Sequence, residues 1–449
     1  MFPEAVARYH DLLNDQNLAE TSRSMLDEGL ERARLVFGGR PLSPYLRPHF
    51  VSEHDFRRIT TICETVWSAI QKVKDAALSD PSIIDDLGIT EVERDLVSIN
   101  PGYKAVSPTS RLDSFLTADS YSFVELNGES PAGIAYADAA YDIFSSLPVM
   151  KKFSSDYDLR PLYGSRFMLD VLLESHAEFL GHKPEQAPRI AIVDLAGVPT
   201  IKEFELFREF FESAGYPAVI CTPQELEFRN NELSVSGKKI DIVYKRLLVN
   251  EYLPIMNDYP ALLDAYRAGS ICMVNSFRSK LIHKKALFAV LTDARRSKLF
   301  TSVELDAIHT HVPWTRSVKG HQSDYRGQTI DLLEFIRGNS QRLVLKPNDD
   351  YGGHGITIGW SVDETRWDEA IEQALENGDY LVQERVPTAK ETFPALENGD
   401  IVFAEQLVDL DPLLFNGKVR SAFTRLSYTE LANVSSGGGM VPTYVVSKR

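Results

Sequence analysis

Lys346-Pro-Asn-Asp-Asp-Tyr-Gly-Gly-His-Gly355 sets a lysine at the end of an apolar run, with Gly352, Gly353 and Gly355 just beyond it. Glycines let backbone N–H groups close in on phosphate oxygens, and a lysine adds a point charge for the same oxygens. Taken alone, the segment is equally a plain glycine-rich β-hairpin. It lacks the Gly-Lys-Ser/Thr of a Walker A loop, and a strand rather than a helix follows it, which excludes a Rossmann fingerprint. Leu381-Val-Gln-Glu-Arg-Val386 reads as an edge strand. Its backbone carbonyl and N–H suit an adenine edge, with Gln383, Glu384 and Val386 as the hinge; alone it is an ordinary sheet strand. Phe123-Val-Glu-Leu-Asn127 puts Glu125 and Asn127 two apart, hence on one face of a strand. A carboxylate and an amide oxygen on one face are hard ligands suited to Mg²⁺. The bland alternative is a solvated strand face. Ser130 has its own bland reading as a helix N-cap before Pro131.

These groups need elements to hold them. Glu53 to Ala77 carries Phe56, Ile59, Ile62, Val66, Ile70 and Val73 at helical intervals, an amphipathic helix. Tyr121 to Leu126 is a short strand, and Ser130-Pro131 is expected to open a helix running to Phe144. Apolar runs at 189–194, 218–221 and 240–246 alternate with a helix pattern at 201–214 that Gly215 stops. That alternation points to a small parallel α/β unit over 187–275. Leu343 to Pro347 enters the glycine turn, and Ile356 to Trp360 leaves it as the second arm of a hairpin. Thr365 to Asn377 is a helix, and Tyr380 to Val386 another strand.

Composition bounds the reading. A chain of 449 residues, with 43% hydrophobic and 25% charged residues, has room for two to four domains and a core that needs no disulfide or structural metal. The net charge of −16 disfavours a broad nucleic-acid or anionic-membrane surface. Cys63, Cys221 and Cys272 match no zinc spacing and read as buried, reduced thiols. No signal peptide or membrane span is visible, so a cytoplasmic protein is the default expectation.

Together the strand–lysine–glycine loop, the Gln383-Glu-Arg-Val386 hinge and the Glu125-x-Asn127 strand resemble the nucleotide site of the ATP-grasp superfamily. The Glu-x-Asn element comes first here, the circularly permuted order of eukaryotic glutathione synthetases and glutathionylspermidine-synthase-like proteins. The resemblance spans about 107–445. It implies an α/β (α+β) ATP-grasp fold with an inserted α/β substrate domain and a helical N-terminal region, divided as 1–106, 107–186, 187–275 and 276–449. By the same resemblance Arg111 and Ser130 contact substrate, Arg246 in Ile242-Val-Tyr-Lys-Arg246 faces it, and Lys285 in His283-Lys-Lys285 meets the ATP phosphates. Asp350 joins Glu125 and Asn127 as a magnesium ligand, and Arg425 and Asn433 complete the substrate groups. The chain departs from the synthetases at Ser427, where they carry a lysine, at Asn433, where they carry an acid, and in Ser435-Ser-Gly-Gly-Gly439.

The chemistry so implied is Mg-ATP-dependent joining of a small acid to an amine through an acylphosphate. Lys285, Lys346, Gly352, Gly353 and Gly355 would serve the phosphates. Arg111, Arg246 and Arg425 would serve the carboxylate or acylphosphate, because guanidinium presents a planar fork. Glycine loops at 352–355 and 437–439 are candidate lids, and 435–439 could offer N–H donors to an oxyanion. The expected partners are amino-acid or peptide-like substrates, with no nucleic acid or membrane and with a homodimer allowed. A small-molecule kinase on the same scaffold, or a non-catalytic nucleotide-binding protein, are the rival readings.

Overall fold

The computed structural model describes residues 2–37, 39–320, 322–397, 400–430 and 438–449. Asn433 and residues 435–437 of the serine-glycine loop lie outside these. The largest sheet runs in the order His49–Ser52, Gly439–Lys448, Lys418–Ser427, Asp400–Phe415, Thr109–Leu116, Tyr121–Asn127. Ala389–Glu397 pairs with Asp400–Phe415, and Tyr157–Arg160 with Gly439–Lys448. His49–Ser52 lies parallel to Gly439–Lys448, so a strand from the N-terminal quarter sits beside one from the far end of the chain.

Helix Glu53–Ala77 has the bounds its periodicity predicts. Ser52 Oγ accepts the Asp55 N–H at 3.0 Å as an N-cap. Of the predicted apolar stripe, Phe56, Ile59, Val66, Ile70 and Val73 are buried against the main sheet, with Cys63 buried beside them and Ile62 only half-buried. The helix expected from Ser130 starts later, at Ile134, and runs to Ser146. Ser130 does not cap it. Gly133, at φ +105°, turns the chain into the helix. Glu203 Oε1, from another helix, accepts the N–H groups of Gly133 at 2.7 Å and Ala135 at 3.2 Å. A tertiary carboxylate has taken the place of the local cap.

Ile190–Val193, Ala218–Cys221, Ile242–Lys245 and Cys272–Val274 form an all-parallel sheet. Its order places Cys272–Val274, Ile242–Lys245, Ile190–Val193 and Ala218–Cys221 side by side. The winding direction therefore reverses between Ile190–Val193 and Ile242–Lys245, which opens a crevice at their carboxyl ends. Helix Ile201–Ser213 stops before Gly215, at φ +90°. A small antiparallel meander, Leu226–Arg229, Glu232–Val235 and Lys238–Lys239, decorates this unit.

A third sheet orders Thr315–Ser317, Tyr380–Glu384, Leu343–Pro347 and Thr357–Ile358. Leu343–Pro347 and Thr357–Ile358 pair antiparallel, the expected hairpin around the glycine turn. Tyr380–Glu384 is not an edge strand: Thr315–Ser317, too short and polar to stand out in the sequence, covers its outer side. Helix Glu364–Asn377 backs the sheet, capped by Asp363 and stopped at Gly378, at φ +76°. The three cysteines are buried and free. No helix among the described residues is long and apolar enough to cross a membrane.

Candidate active site

Glu125 and Asn127 stand at the end of strand Tyr121–Asn127 on the same face. Asn127 Nδ2 lies 3.5 Å from Glu125 Oε1 and donates to Asp113 Oδ1 at 3.1 Å. Asp113 stands opposite Glu125 on the neighbouring strand, where a bulge between Asp113 and Ser114 breaks the register. The bulge re-aims the side chains at a strand end. Asp409 and Asp411 approach from strand Asp400–Phe415. Oxygens of Asp113, Asp409 and Asp411 lie within 4.8 Å of one another, all three residues buried.

Two arginines balance these acids. Arg111 Nε and Nη2 reach Asp113 at 2.7 and 3.0 Å, and Nη1 donates to the Ala132 carbonyl at 3.0 Å. Arg425 reaches Asp113 Oδ2 at 2.6 Å and Asp411 Oδ2 at 2.8 Å, and also bonds Asp409. Burial works to raise Asp113, but the Arg111 and Arg425 guanidinium groups outweigh it and hold this carboxyl well below the usual range. Burial prevails at Asp409, pushed up to about 6 against the pull of Arg425, and it also raises Asp411 well above its ordinary value.

Lys346 enters from the third sheet. It is buried, donates to Gln383 Oε1 at 2.7 Å and to the Val124 carbonyl at 3.3 Å. The second bond ties it to the Glu125 strand. Burial lowers Lys346 to about 8, with Glu125 countering part of the shift. One cleft is lined by Asp113, Glu125, Asp409 and Arg425 from the main sheet, by Lys346, Gln383 and Glu384 from the third, and by Gly353 and Val386 from the segments that leave its strands. Its apolar wall includes Phe115, Val344, Ile358 and Trp360. Arg385 stacks on Trp360, 4.1 Å from the ring centroid.

Gly352, Gly353 and Gly355 all adopt positive φ, +68°, +79° and +68°. A Cβ on Gly355 would lie 2.8 Å from Pro347 and from the Tyr380 hydroxyl. Glu384 turns its carboxylate to Tyr325, Arg326 and Arg342, at 2.7, 3.0 and 3.1 Å. Its N–H goes to the Trp314 carbonyl and that of Arg385 to Arg342. Lys285 Nζ sits 3.5 Å from Glu125 Oε2 and bonds the Asp350 carbonyl. The Asp350 carboxylate accepts the Tyr351 N–H of its own loop. Lys285 thus holds the backbone carbonyl of Asp350, not its carboxylate, while facing Glu125.

Arg246 is apart from this cleft, at the carboxyl end of Ile242–Lys245. It donates to the Pro131 carbonyl at 2.8 Å and the Tyr244 hydroxyl at 3.0 Å, and pairs with Glu203 at 3.4 Å. Asp194, at the end of the adjacent strand, is pushed up to about 6 by burial. The structure thus brings Glu125, Asn127, Lys285, Lys346, Gly353 and Arg425 together, with Arg111 behind them. Ser130 lies in the turn between this cleft and Arg246. The sequence reading left out Asp113, Asp409 and Asp411. Asp409-Leu-Asp411 carries a signal: two acids at a two-residue spacing inside the otherwise apolar run from Leu407 to Phe415, hence on one face.

The model of the family described as circularly permuted ATP-grasp type 2 matches residues 116–427. The chain belongs to this family. The match takes in the Glu125 strand, the Lys346 loop and Arg425, the groups that converge on the cleft. Among curated relatives, a putative glutamate–cysteine ligase 2-2 of Frankia casuarinae is 23% identical over 460 residues, covering 96% of this chain and 50% of that protein. A putative glutamate–cysteine ligase 2-3 of Frankia alni is 24% identical over 219 residues, 46% of this chain and 24% of that one. The chain spans about half the length, or less, of these curated relatives. A glutathione synthetase-like effector from Globodera pallida, solved in apo form, shares the fold with a TM-score of 0.61 at 15% identity, over 96% of this chain and 97% of that one.

Proposed function

We propose that this ATP-grasp protein is an ATP-dependent carboxylate–amine ligase that works through an acylphosphate and requires Mg²⁺. One observation carries the reading. Glu125 and Lys346, far apart in the sequence, line a single cleft whose apolar wall suits a purine and whose inner end is acidic and basic together. The donor set fits a hard divalent ion: Glu125 offers carboxylate oxygens and Asn127 an amide beside it, while both oxygens of Asp113 are taken by Arg111 and Arg425. Mg²⁺ held by Glu125 and Asn127, with the Asp350 carboxylate of the loop as a third ligand, would neutralise phosphate charge.

Lys346 and Lys285 supply fixed cations for the phosphoryl oxygens, and the left-handed turn at Gly352 to Gly355 offers backbone N–H groups. Glu384 N–H is already bonded, so the hinge donor to an adenine edge falls to Val386, with Glu384 supplying its carbonyl. A carboxylate oxygen of the acid attacks the γ-phosphorus and ADP leaves. The amine nitrogen then attacks the acyl carbon and inorganic phosphate leaves. Arg425 and Arg111 act as the fixed positive charge behind Asp113. The crevice between Asp194 and Arg246 is the place for the second substrate, an amine-bearing, amino-acid-like molecule, with Ser130 in the turn joining the two sites.

The test incubates the protein with ATP, Mg²⁺ and pooled amino acids and dipeptides, following ADP release and product mass. A mass equal to acid plus amine minus water is expected. ADP with a phosphorylated product and no amide would overturn the ligase reading.

A further inference from the structure

Behind the glycine loop, six charged side chains share one buried cluster: Glu93, Glu129, Asp349, Lys245, Lys280 and Lys284. Lys245 and Lys280 have no exposed side-chain surface. Three negative and three positive charges balance. Such a cluster is seldom more stable than an apolar core of equal volume; what it fixes is geometry. Its members come from separate parts of the chain and meet around Lys280, which lies within ion-pair distance of Glu93, Glu129 and Asp349, the last one residue before the loop's Asp350.

The contacts form a line. Glu129 Oε2 accepts the Val249 N–H at 2.7 Å, and Glu129 Oε1 lies 3.0 Å from Lys280 Nζ. Lys280 Nζ in turn lies 2.6 Å from Asp349 Oδ1. Asn250 Nδ2 donates to the Asp349 carbonyl at 3.4 Å, and the Tyr351 hydroxyl to Glu251 at 3.1 Å. Three successive residues at the carboxyl end of the parallel sheet thus meet Glu129, Asp349 and Tyr351. Tyr351 is half exposed, at 50%, so it adds little to any core. Its hydroxyl nevertheless ties the tip of the loop to the α/β unit.

We propose that this line is a latch seating the glycine loop against the α/β unit, with Lys280 and Tyr351 as positioning residues. The seat matters because Asp350, next to Asp349, holds Lys285 by its carbonyl, and Lys285 faces Glu125. Nucleotide binding and the placement of the α/β unit are thereby coupled. The proposal rests on reading the Lys346 loop as the nucleotide loop.

The test uses the full chain with Mg²⁺ and a slowly hydrolysed ATP analogue, reading affinity by calorimetry and loop protection by hydrogen exchange over 347–356. Tyr351→Phe should keep the melting temperature but weaken binding by about threefold to tenfold, the scale of one hydrogen bond. It should also lose part of the nucleotide-dependent protection. Lys280→Met should lose affinity together with stability, and Lys280→Arg should restore part of the affinity. Wild-type affinity and protection in both Tyr351→Phe and Lys280→Met would overturn the latch alone. A wild-type protein that binds no Mg-nucleotide would overturn the nucleotide reading and the latch with it.

Discussion

Lys346 is a charged group kept at a cost: burial depresses it to about 8 while Glu125 and Gln383 hold it in place. Below pH 8 it is a cation facing the cleft, and above pH 8 it is neutral. Mg-ATP affinity should therefore fall as pH rises from 7 to 9, and the decline should vanish in Lys346→Met. That variant should bind at least about tenfold more weakly, the value of one charge-assisted bond. Its melting temperature at pH 7 should not drop, because a folded-state pKa below the unfolded one means the charged form disfavours folding. Calorimetry and thermal melts read both halves; a large stability loss would make Lys346 structural. Arg425 behaves in the opposite way. Removing it strands Asp409 and Asp411 in the interior and leaves Asp113 to Arg111 alone, and breaking such a buried set costs roughly 3–5 kcal/mol. Arg425→Ala should thus lower the denaturation midpoint sharply, with Arg425→Lys a poor substitute for a fork that meets three carboxylates. From sequence, Arg246 and Arg425 look like forks for a substrate carboxylate, sparing stability. Their internal partners, Glu203 and the three aspartates, come from other elements, and no spacing along the chain announces them.

Elements with local caps were legible, and elements with distant ones were not. Glu53–Ala77 carries its own Ser52 cap, and Glu364–Asn377 its own Asp363. The periodic stripe and the capping residue agree in both, so sequence alone sets their bounds to within a residue. Ser130-Pro131 has the same local signature and yet caps nothing, because Glu203 reaches across to the N–H groups of Gly133 and Ala135. Gly133 is required there twice over: its φ is +105°, and a Cβ would sit 2.4 Å from the Phe423 ring. Gly133→Ala should destabilise by more than about 1 kcal/mol, the ordinary cost of forcing a left-handed site. A denaturant titration checks it, with an unshifted midpoint counting against the assignment. The hinge strand was likewise half legible. The alternation of Tyr380 to Glu384 marked a strand, but its covering neighbour Thr315–Ser317 has three residues and no hydrophobic pattern. Short polar strands exist by tertiary pairing and leave no periodic trace.

At the scale of the molecule, the permuted order that the Glu125 strand and Lys346 loop suggested is matched by long-range pairing throughout. The most distant strand pairing joins the N-terminal quarter to the last strand, with His49 beside Thr443 and Phe50 beside Tyr444. Residues 1–106 are bound to the rest by more than that strand. Arg47 is fully buried, 3.1 Å from Glu391 and 3.7 Å from the centre of the Phe393 ring. The Tyr45 hydroxyl donates to Gln406 at 3.2 Å, and Ser68 Oγ to Glu304 at 2.8 Å. Glu93 lies 2.8 Å from Lys284 in the cluster behind the glycine loop. A chain beginning at residue 107 would leave Glu391 and Lys284 without these partners, at about 3–5 kcal/mol for each broken buried pair. It would also bare the sheet edge of Gly439–Lys448 and the apolar surface under helix Glu53–Ala77. A domain's whole stability is about 5–15 kcal/mol, so the losses exceed what the remainder can hold. We expect the 107–449 fragment to lack a cooperative thermal transition, to lose near-ultraviolet circular dichroism and to bind hydrophobic dye. Co-expression with a separate 1–106 fragment should recover a complex that melts as one unit. A 107–449 fragment that melts cooperatively alone and still binds Mg-ATP would make the N-terminal quarter an appendage, contrary to the pairing of its strand and buried charges.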